Sequence, residues 1–266
     1  CRTKGVEVTL HEDLPAAAAT EDRWTFELID LSRPLTVETV DALFGDLVAN
    51  GQNQYFRDLS VDVAVDYSTT NAYSCVLRIP DHVATHVDAP IHTVRGGAFL
   101  EGVDLHRLIG EAVCLDLDRS GVDYGYTADD LEAVGSDVRP GDIVLIYSGF
   151  RDAAPGERMH QTYLTPGAAE WLVERGAVAV GLEPASPDPV WAGMYEYGWA
   201  DLDGPNPPPW PAHGVLLHNE VYVIEGLTNL DRIRGRRVRF AALPPLIPGL
   251  SGCPVRAVAW IERSGA

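Results

Sequence analysis

His82-Val83-Ala84-Thr85-His86-Val87-Asp88-Ala89-Pro90-Ile91-His92 is the stretch around which the chain is organised, and we call it the histidine segment. It holds three of the eight histidines and one carboxylate. The polar groups fall at even offsets from His82, so on an extended strand all four would project to one face. Imidazole and carboxylate together suit zinc, manganese or iron. The spacing therefore predicts a metal-binding strand rather than a solvated histidine-rich loop.

The bulk composition limits the classes of function. The chain has 266 residues, of which 46% are hydrophobic, enough for one large domain or at most two. Its net charge of −19 argues against nucleic acid or an anionic membrane as partner, because phosphate binding needs a basic surface. The sequence contains no run of about 18 apolar residues, so it predicts no transmembrane helix. We therefore expect a soluble, cytoplasmic protein.

Strands that alternate with helices predict an α/β domain with a mixed sheet. Helices are predicted to begin after Thr36, Thr127 and Thr165, each of which can cap a helix. Strands are predicted at residues 26–31, 73–79, 111–117, 143–147, 177–182, 221–224, 238–243 and 257–261. Residues 1–23 are polar and alanine-rich, which indicates an N-terminal extension before a single domain at residues 24–266.

Two later segments are candidates for binding. Residues 184–211 place aromatic side chains between prolines, among them Trp191, Tyr195 and Trp199. These aromatics would clamp a flat, apolar substrate, or else pack on the core or at a subunit interface; the pattern favours neither. Residues 211–230 follow, with the further ligand candidates His213, His218, Glu220 and Glu225. Periodicity alone does not choose among these four.

The histidine segment resembles the signature H-x-G-T-H-x-D-x-P-x-H of the cyclase family of metal-dependent hydrolases. This family includes bacterial kynurenine formamidases, isatin hydrolases and some polyketide cyclases. The resemblance extends over roughly residues 26–262, with supporting segments at 29–32, 141–145, 181–188, 225–227 and 252–258. The chain departs from the signature at Ala84, which stands at the glycine position. If that position requires a positive φ, alanine costs on the order of 1 kcal/mol there, or the loop shifts.

The resemblance implies a swivelling β/β/α domain that forms homodimers or homotetramers. It implies Zn or Mn as cofactor, with one or two ions. The first ion would be held by His82, His86 and Asp88. Asp88 would bridge to a second ion, completed by His213 and Glu225. His92 would be the general acid and base beside the metals rather than a ligand.

Three functions compete at this level. The first is hydrolysis of an amide, formamide, lactam or lactone, in the manner of an arylformamidase, with a small aromatic substrate. The second is a biosynthetic, polyketide-type cyclase that uses the same metal site for ring closure. The third is a metal-binding protein without catalysis, which the acid–base residue His92 disfavours. The sequence favours the hydrolase and retains the cyclase as the alternative.

Overall fold

The computed structural model describes residues 25–49, 54–120, 122–152, 160–189 and 210–263. The predicted extension at residues 1–23 lies outside these ranges, and so do the predicted substrate-binding residues Trp191, Tyr195 and Trp199. Within the described part of the chain, no helix has the length and apolar character needed to span a membrane.

The described residues form strands and helices that alternate along the chain. The strands are β1 (Phe26–Asp30), β2 (Ser60–Val65), β3 (Ser74–Arg78), β4 (His86–Asp88), β5 (Ile109–Asp116), β6 (Tyr124–Tyr126), β7 (Ile143–Tyr147), β8 (Thr162–Leu164), β9 (Ala179–Leu182), β10 (Tyr222–Glu225), β11 (Arg237–Ala241), β12 (Gly252–Pro254) and β13 (Val258–Glu262). The helices are α1 (Val37–Ala49), α2 (Ala128–Val134), α3 (Pro166–Glu174) and α4 (Pro211–His218).

A nine-stranded mixed sheet lies at the centre, in the order β1-β13-β11-β5-β7-β9-β10-β4-β12. Strands β5, β7, β9 and β10 are parallel, and the strands on either side of them pair antiparallel. The buried central residues of these parallel strands are mostly apolar, because both of their faces are covered there. Cys114 and Leu145 point into one core cluster, whereas their neighbours Val113 and Val144 point into the other. The prediction of an α/β domain with a mixed sheet is confirmed.

The predicted helix starts are confirmed at the capping residues. Thr127 and Asp130 form a reciprocal capping box at the start of α2. The hydroxyl of Thr165 accepts a hydrogen bond from the backbone of Ala168 in α3, and that of Thr36 accepts one from Thr39 in α1. These caps satisfy backbone N–H groups that have no partner inside the helix. Helices α2, α3 and α4 share the core cluster on one face of the sheet.

The prediction that the histidine segment forms one extended strand is wrong. Only His86–Asp88 is a strand; His82 lies in a bend, and His92 ends a short 3-10 turn that begins at Pro90. Ala84 adopts a φ of 55°, which breaks the alternation of side chains before the strand. This left-handed conformation costs an alanine about 1–2 kcal/mol, so surrounding contacts must hold it in place.

Candidate metal centre

Strand β4 carries two of the predicted ligands into the interior of the protein. It pairs with β10 on one side and with β12 on the other. In this register His86 stands directly opposite Glu225, which is the last residue of β10. Cross-strand partners project to the same face, so the imidazole and the carboxylate meet. Asp88, two residues further along β4, projects to this face as well.

Four side chains from three elements form what we call the buried cluster: His86 and Asp88 of β4, Glu225 of β10 and His213 of α4. His86 Nε2 lies 3.2 Å from Glu225 Oε2 and 3.4 Å from Asp88 Oδ1. His213 Nε2 lies 3.1 Å from Glu225 Oε1 and 3.4 Å from Asp88 Oδ2. None of these four residues is more than 4% exposed. Both carboxylates therefore contact both imidazoles away from bulk solvent.

His82 reaches the same centre from the bend before β4. Its Nδ1 lies 2.6 Å from Asp88 Oδ1, and its Nε2 lies 2.8 Å from the hydroxyl of Ser251. Gly252 leaves room for this ring, because a Cβ at that position would lie 2.5 Å from the ring atom Cε1. Residues just before and within β12 therefore support His82 from the side opposite β10.

His92 lies where the cluster opens to solvent. Its ring centroid is 3.9 Å from that of His82 and 5.5 Å from that of His213. The residue is exposed, whereas the ligand candidates around it are buried. Packing around the ring nevertheless desolvates it, and this effect, with the nearby His82 and His213, lowers the pKa of His92 to about 4. A neutral imidazole at pH 7 can accept a proton.

The charges of the buried cluster compensate one another. Burial lowers the pKa of His86, but the carboxylates of Asp88 and Glu225 outweigh it and raise that pKa to about 9. Burial also opposes ionisation of Asp88, yet His82 and His86 hold its pKa well below the ordinary value. The pKa of His213 is raised against burial by contacts with Asp188 and with the two cluster carboxylates. Without a cation, protonated imidazoles thus balance the carboxylates.

A divalent cation fits this donor set. Four atoms of the buried cluster have no hydrogen-bond partner within the described part of the chain: His86 Nε2, Asp88 Oδ2, His213 Nε2 and Glu225 Oε1. Buried polar atoms normally have partners, and a cation bound among these four atoms would supply one to each of them. Two ligand groups could hold an ion, namely His82 with Asp88 and His92, and His86 with Asp88 and Glu225. Nitrogen and oxygen donors of this kind suit zinc or manganese.

The structure gathers all six predicted residues of the centre: His82, His86, Asp88, His92, His213 and Glu225. It separates His218 and Glu220 from them, because His218 is exposed at the last residue of α4, and Glu220 is exposed two residues further on and pairs with Arg107. Three contacts were missed from the sequence: Asp188 on His213, Ser251 on His82, and Trp210, whose ring centroid lies 5.8 Å from that of His213. Asp188 and Trp210 lie in segments that the sequence singled out, but no local pattern assigns either residue, or Ser251, to a partner, because each contact joins residues that are distant in sequence or lie across a turn.

Comparison with known proteins agrees with this geometry. The family model described as "Putative cyclase" matches residues 29–189, more than half of the 266-residue chain. An isatin hydrolase of Roseibium aggregatum is 27% identical over 203 residues, covering 69% of this chain and 73% of the relative. A kynurenine formamidase of Geobacillus thermodenitrificans is 28% identical over 191 residues, covering 68% of this chain and 77% of the relative.

Among solved structures, an isatin hydrolase bound to the product analogue thioisatinate matches with a TM-score of 0.72. The match covers 90% of this chain and 94% of that one, at 23% sequence identity. Identity at this level shows the shared fold alone, and it agrees with the predicted α/β domain built on a large mixed sheet.

Proposed function

The chain belongs to the cyclase family, and from that premise we propose that it is a metal-dependent hydrolase of amide, formamide or lactam C–N bonds. The relatives named above are an isatin hydrolase and a kynurenine formamidase. The observation that carries the proposal is the convergence of four unpartnered polar atoms in the buried cluster. Hydrolase relatives favour this function over the biosynthetic cyclase, for which the described residues offer no separate support.

We propose that His82, His86 and Asp88 hold a first divalent ion. Asp88 would bridge to a second ion, held also by His213 and Glu225. The close approach of both cluster carboxylates to both imidazoles supports one shared centre, and the division between two ions follows the family resemblance. An ion there would acidify a water molecule to a pKa near 7 and polarise the substrate carbonyl. Zinc and manganese are both compatible with these ligands.

The protein's own contribution to bond cleavage comes from His92. Its ring is neutral at pH 7, so in this proposal it accepts a proton from the attacking water and then passes it to the leaving nitrogen. Its stacking on His82 keeps it beside the ligands and open to an incoming substrate. Acid–base help of this kind is worth about 10²–10⁴-fold in rate. His86 and His213 are buried and bind the carboxylates, so neither competes for this role.

A small aromatic substrate is the best match to this site. The substrates named for the two relatives, isatin and kynurenine compounds, are aromatic. Trp210 offers a partly exposed aromatic ring next to His213 at the edge of the centre. The assignment of Trp191, Tyr195 and Trp199 to substrate binding stays a prediction from the sequence.

Three further properties are proposed: the identity of the metal, the oligomeric state and the cellular location. We propose Zn or Mn as the metal, which elemental analysis of the purified protein would identify. We propose a homodimer or homotetramer, which a mass measurement in solution would distinguish. We propose a cytoplasmic location without nucleic-acid or membrane partners, which fits the net charge of −19 and stays a prediction.

Two substitutions test the division of roles. His86→Ala should lose both bound metal and hydrolysis of formylated arylamines and aryl lactams, because it removes a ligand. His92→Ala should keep the metal and lose about 10²–10⁴-fold in turnover, because it removes only the proton carrier. His218→Ala, an exposed histidine on the same helix as His213, is the control and should change neither. A His92→Ala protein without metal would contradict the assignment.

A further inference from the structure

Asp188 is a completely buried carboxylate that lies outside the proposed ligand set. Given the proposed metal-dependent function, on which this inference rests, we propose that Asp188 is a positioning residue that presents His213 Nε2 to the metal. It acts through His213 and does not itself belong to the buried cluster. Three hydrogen bonds to its carboxylate carry the inference.

These hydrogen bonds attach Asp188 to the first turn of α4. Its Oδ1 accepts from the backbone N–H of Ala212 at 2.7 Å. Its Oδ2 accepts from the backbone N–H of His213 at 3.1 Å and contacts the ring atom Nδ1 of the same residue at 2.7 Å. One carboxylate thus caps the helix and orients the histidine that this helix carries.

The contact with Nδ1 decides which nitrogen of His213 faces the centre. An ionised carboxylate only accepts hydrogen bonds, so Nδ1 must carry a proton. In the neutral ring the lone pair then belongs to Nε2, and this is the atom that lies near Asp88 and Glu225. The negative charge behind the ring also makes the ligand nitrogen more basic.

The backbone that carries the Asp188 side chain is itself held by hydrogen bonds. Its backbone N–H donates to the hydroxyl of Ser186 at 3.1 Å. The side-chain amide of Gln161 donates to the backbone oxygens of Ser186 at 2.7 Å and of Asp188 at 3.3 Å. Gln161 and Ser186 are buried as well, so water does not compete for these contacts. The support of His213 is therefore already formed in the structure without a metal.

The other two histidines of the centre have weaker outer partners. His86 Nδ1 contacts the backbone carbonyl of Ala84 at 3.2 Å, and His82 Nε2 contacts the hydroxyl of Ser251. Both of these partners are neutral, and the carboxylate nearest to His82 Nε2, that of Asp81, lies 3.5 Å away. His213 has an anion in direct contact with Nδ1 at 2.7 Å. Loss of the Asp188 charge should therefore weaken the ion held by His213 more than an ion held by His82 and His86.

Asp188→Asn tests this, because asparagine keeps the shape and can still cap the helix but loses the charge and one acceptor. Metal-stripped wild type, Asp188→Asn and His213→Ala would be titrated with Zn²⁺ by calorimetry. The Co²⁺-loaded proteins would be compared by visible spectroscopy, and activity is not required. We expect His213→Ala to abolish binding of one ion and Asp188→Asn to weaken that same ion by about 10–100-fold with an altered Co²⁺ spectrum.

Asp142→Asn is the matched control, because Asp142 is another buried carboxylate but accepts from Arg139 and Arg237 instead. It should lower the melting temperature and leave the Zn²⁺ affinities unchanged. An Asp188→Asn protein with wild-type affinities and spectrum would overturn the inference, and so would an equal weakening of every bound ion. A wild-type protein that takes up no metal would instead overturn the proposed function.

Discussion

Gly226→Ala tests how the histidine segment is held against β10. Gly226 follows Glu225 directly and has a φ of 65°. A Cβ at this position would lie 2.2 Å from the carbonyl oxygen of Ala84 and 2.9 Å from its carbonyl carbon. Both atoms belong to backbone, so the contact cannot be relieved by a side-chain rotation. The backbone of Ala84 or of Gly226 must move.

The expected destabilisation follows from what this movement breaks. Alanine in the left-handed region costs about 1–2 kcal/mol. The Ala84 carbonyl is the partner of His86 Nδ1, and the Gly226 carbonyl accepts from the hydroxyl of Thr85 at 2.7 Å. Each of these hydrogen bonds is worth about 0.5–1.5 kcal/mol. Together these effects predict that the free energy of unfolding falls by about 2–5 kcal/mol.

Gly235→Ala is the matched control, since Gly235 has a φ of 69° but no atom within 4 Å of the added Cβ. It should cost only the backbone part, about 1–2 kcal/mol. Urea denaturation of both variants in the presence of a chelator measures the difference without any contribution from metal. Gly226→Ala should also lower metal affinity, because it displaces the support of His86. Equal urea midpoints for the two variants would refute this reasoning.

Two further predictions concern stability. Arg237→Ala should lower the free energy of unfolding by about 3 kcal/mol, because it leaves the buried carboxylate of Asp142 without its bidentate partner at 2.7 and 2.9 Å. The control Arg239→Ala removes an exposed arginine on the same strand and should cost less than about 1 kcal/mol in the same urea assay. A similar cost for both variants would contradict the prediction. In the metal-free protein, the neighbouring carboxylates outweigh burial and raise the pKa of His86 from 6.5 to about 9. The contribution of protonated His86 to the free energy of unfolding is therefore complete below pH 6.5. It is lost as the pH rises to about 9, by at most about 1.4 kcal/mol per pH unit. Urea midpoints of chelated wild type that stay level or rise over this range would contradict it.

The strands and helix starts of the domain were predicted well where the signal is local. Strand β7 is a continuous apolar run, and Thr127 with Asp130 forms a capping box that can be seen in the sequence. In contrast, α4 was not predicted, because the partner that caps it is the carboxylate of Asp188, 24 residues before Ala212. Strand β12 has only three residues and exists because it pairs with β4.

The candidate site divides in the same way. Resemblance to the family signature named His82, His86, Asp88 and His92 and pointed onward to His213 and Glu225, and the structure brings all six together. The structure brings these residues together without the continuous strand that the sequence predicted. The even spacing assumed a continuous strand, whereas the positive φ of Ala84 turns His82 out of phase with His86.

The sequence by itself determined the chemical character of this protein, since residue types at fixed spacing specify which donors are available for a metal and a proton. Tertiary structure alone decided how they meet: β4 between β10 and β12, His213 carried in on α4, and Asp188 behind it. The physical reason is the separation in sequence over which each kind of interaction acts. Alternation, apolar runs and caps depend on residues a few positions apart, whereas a buried charged centre forms only when distant segments exclude water together.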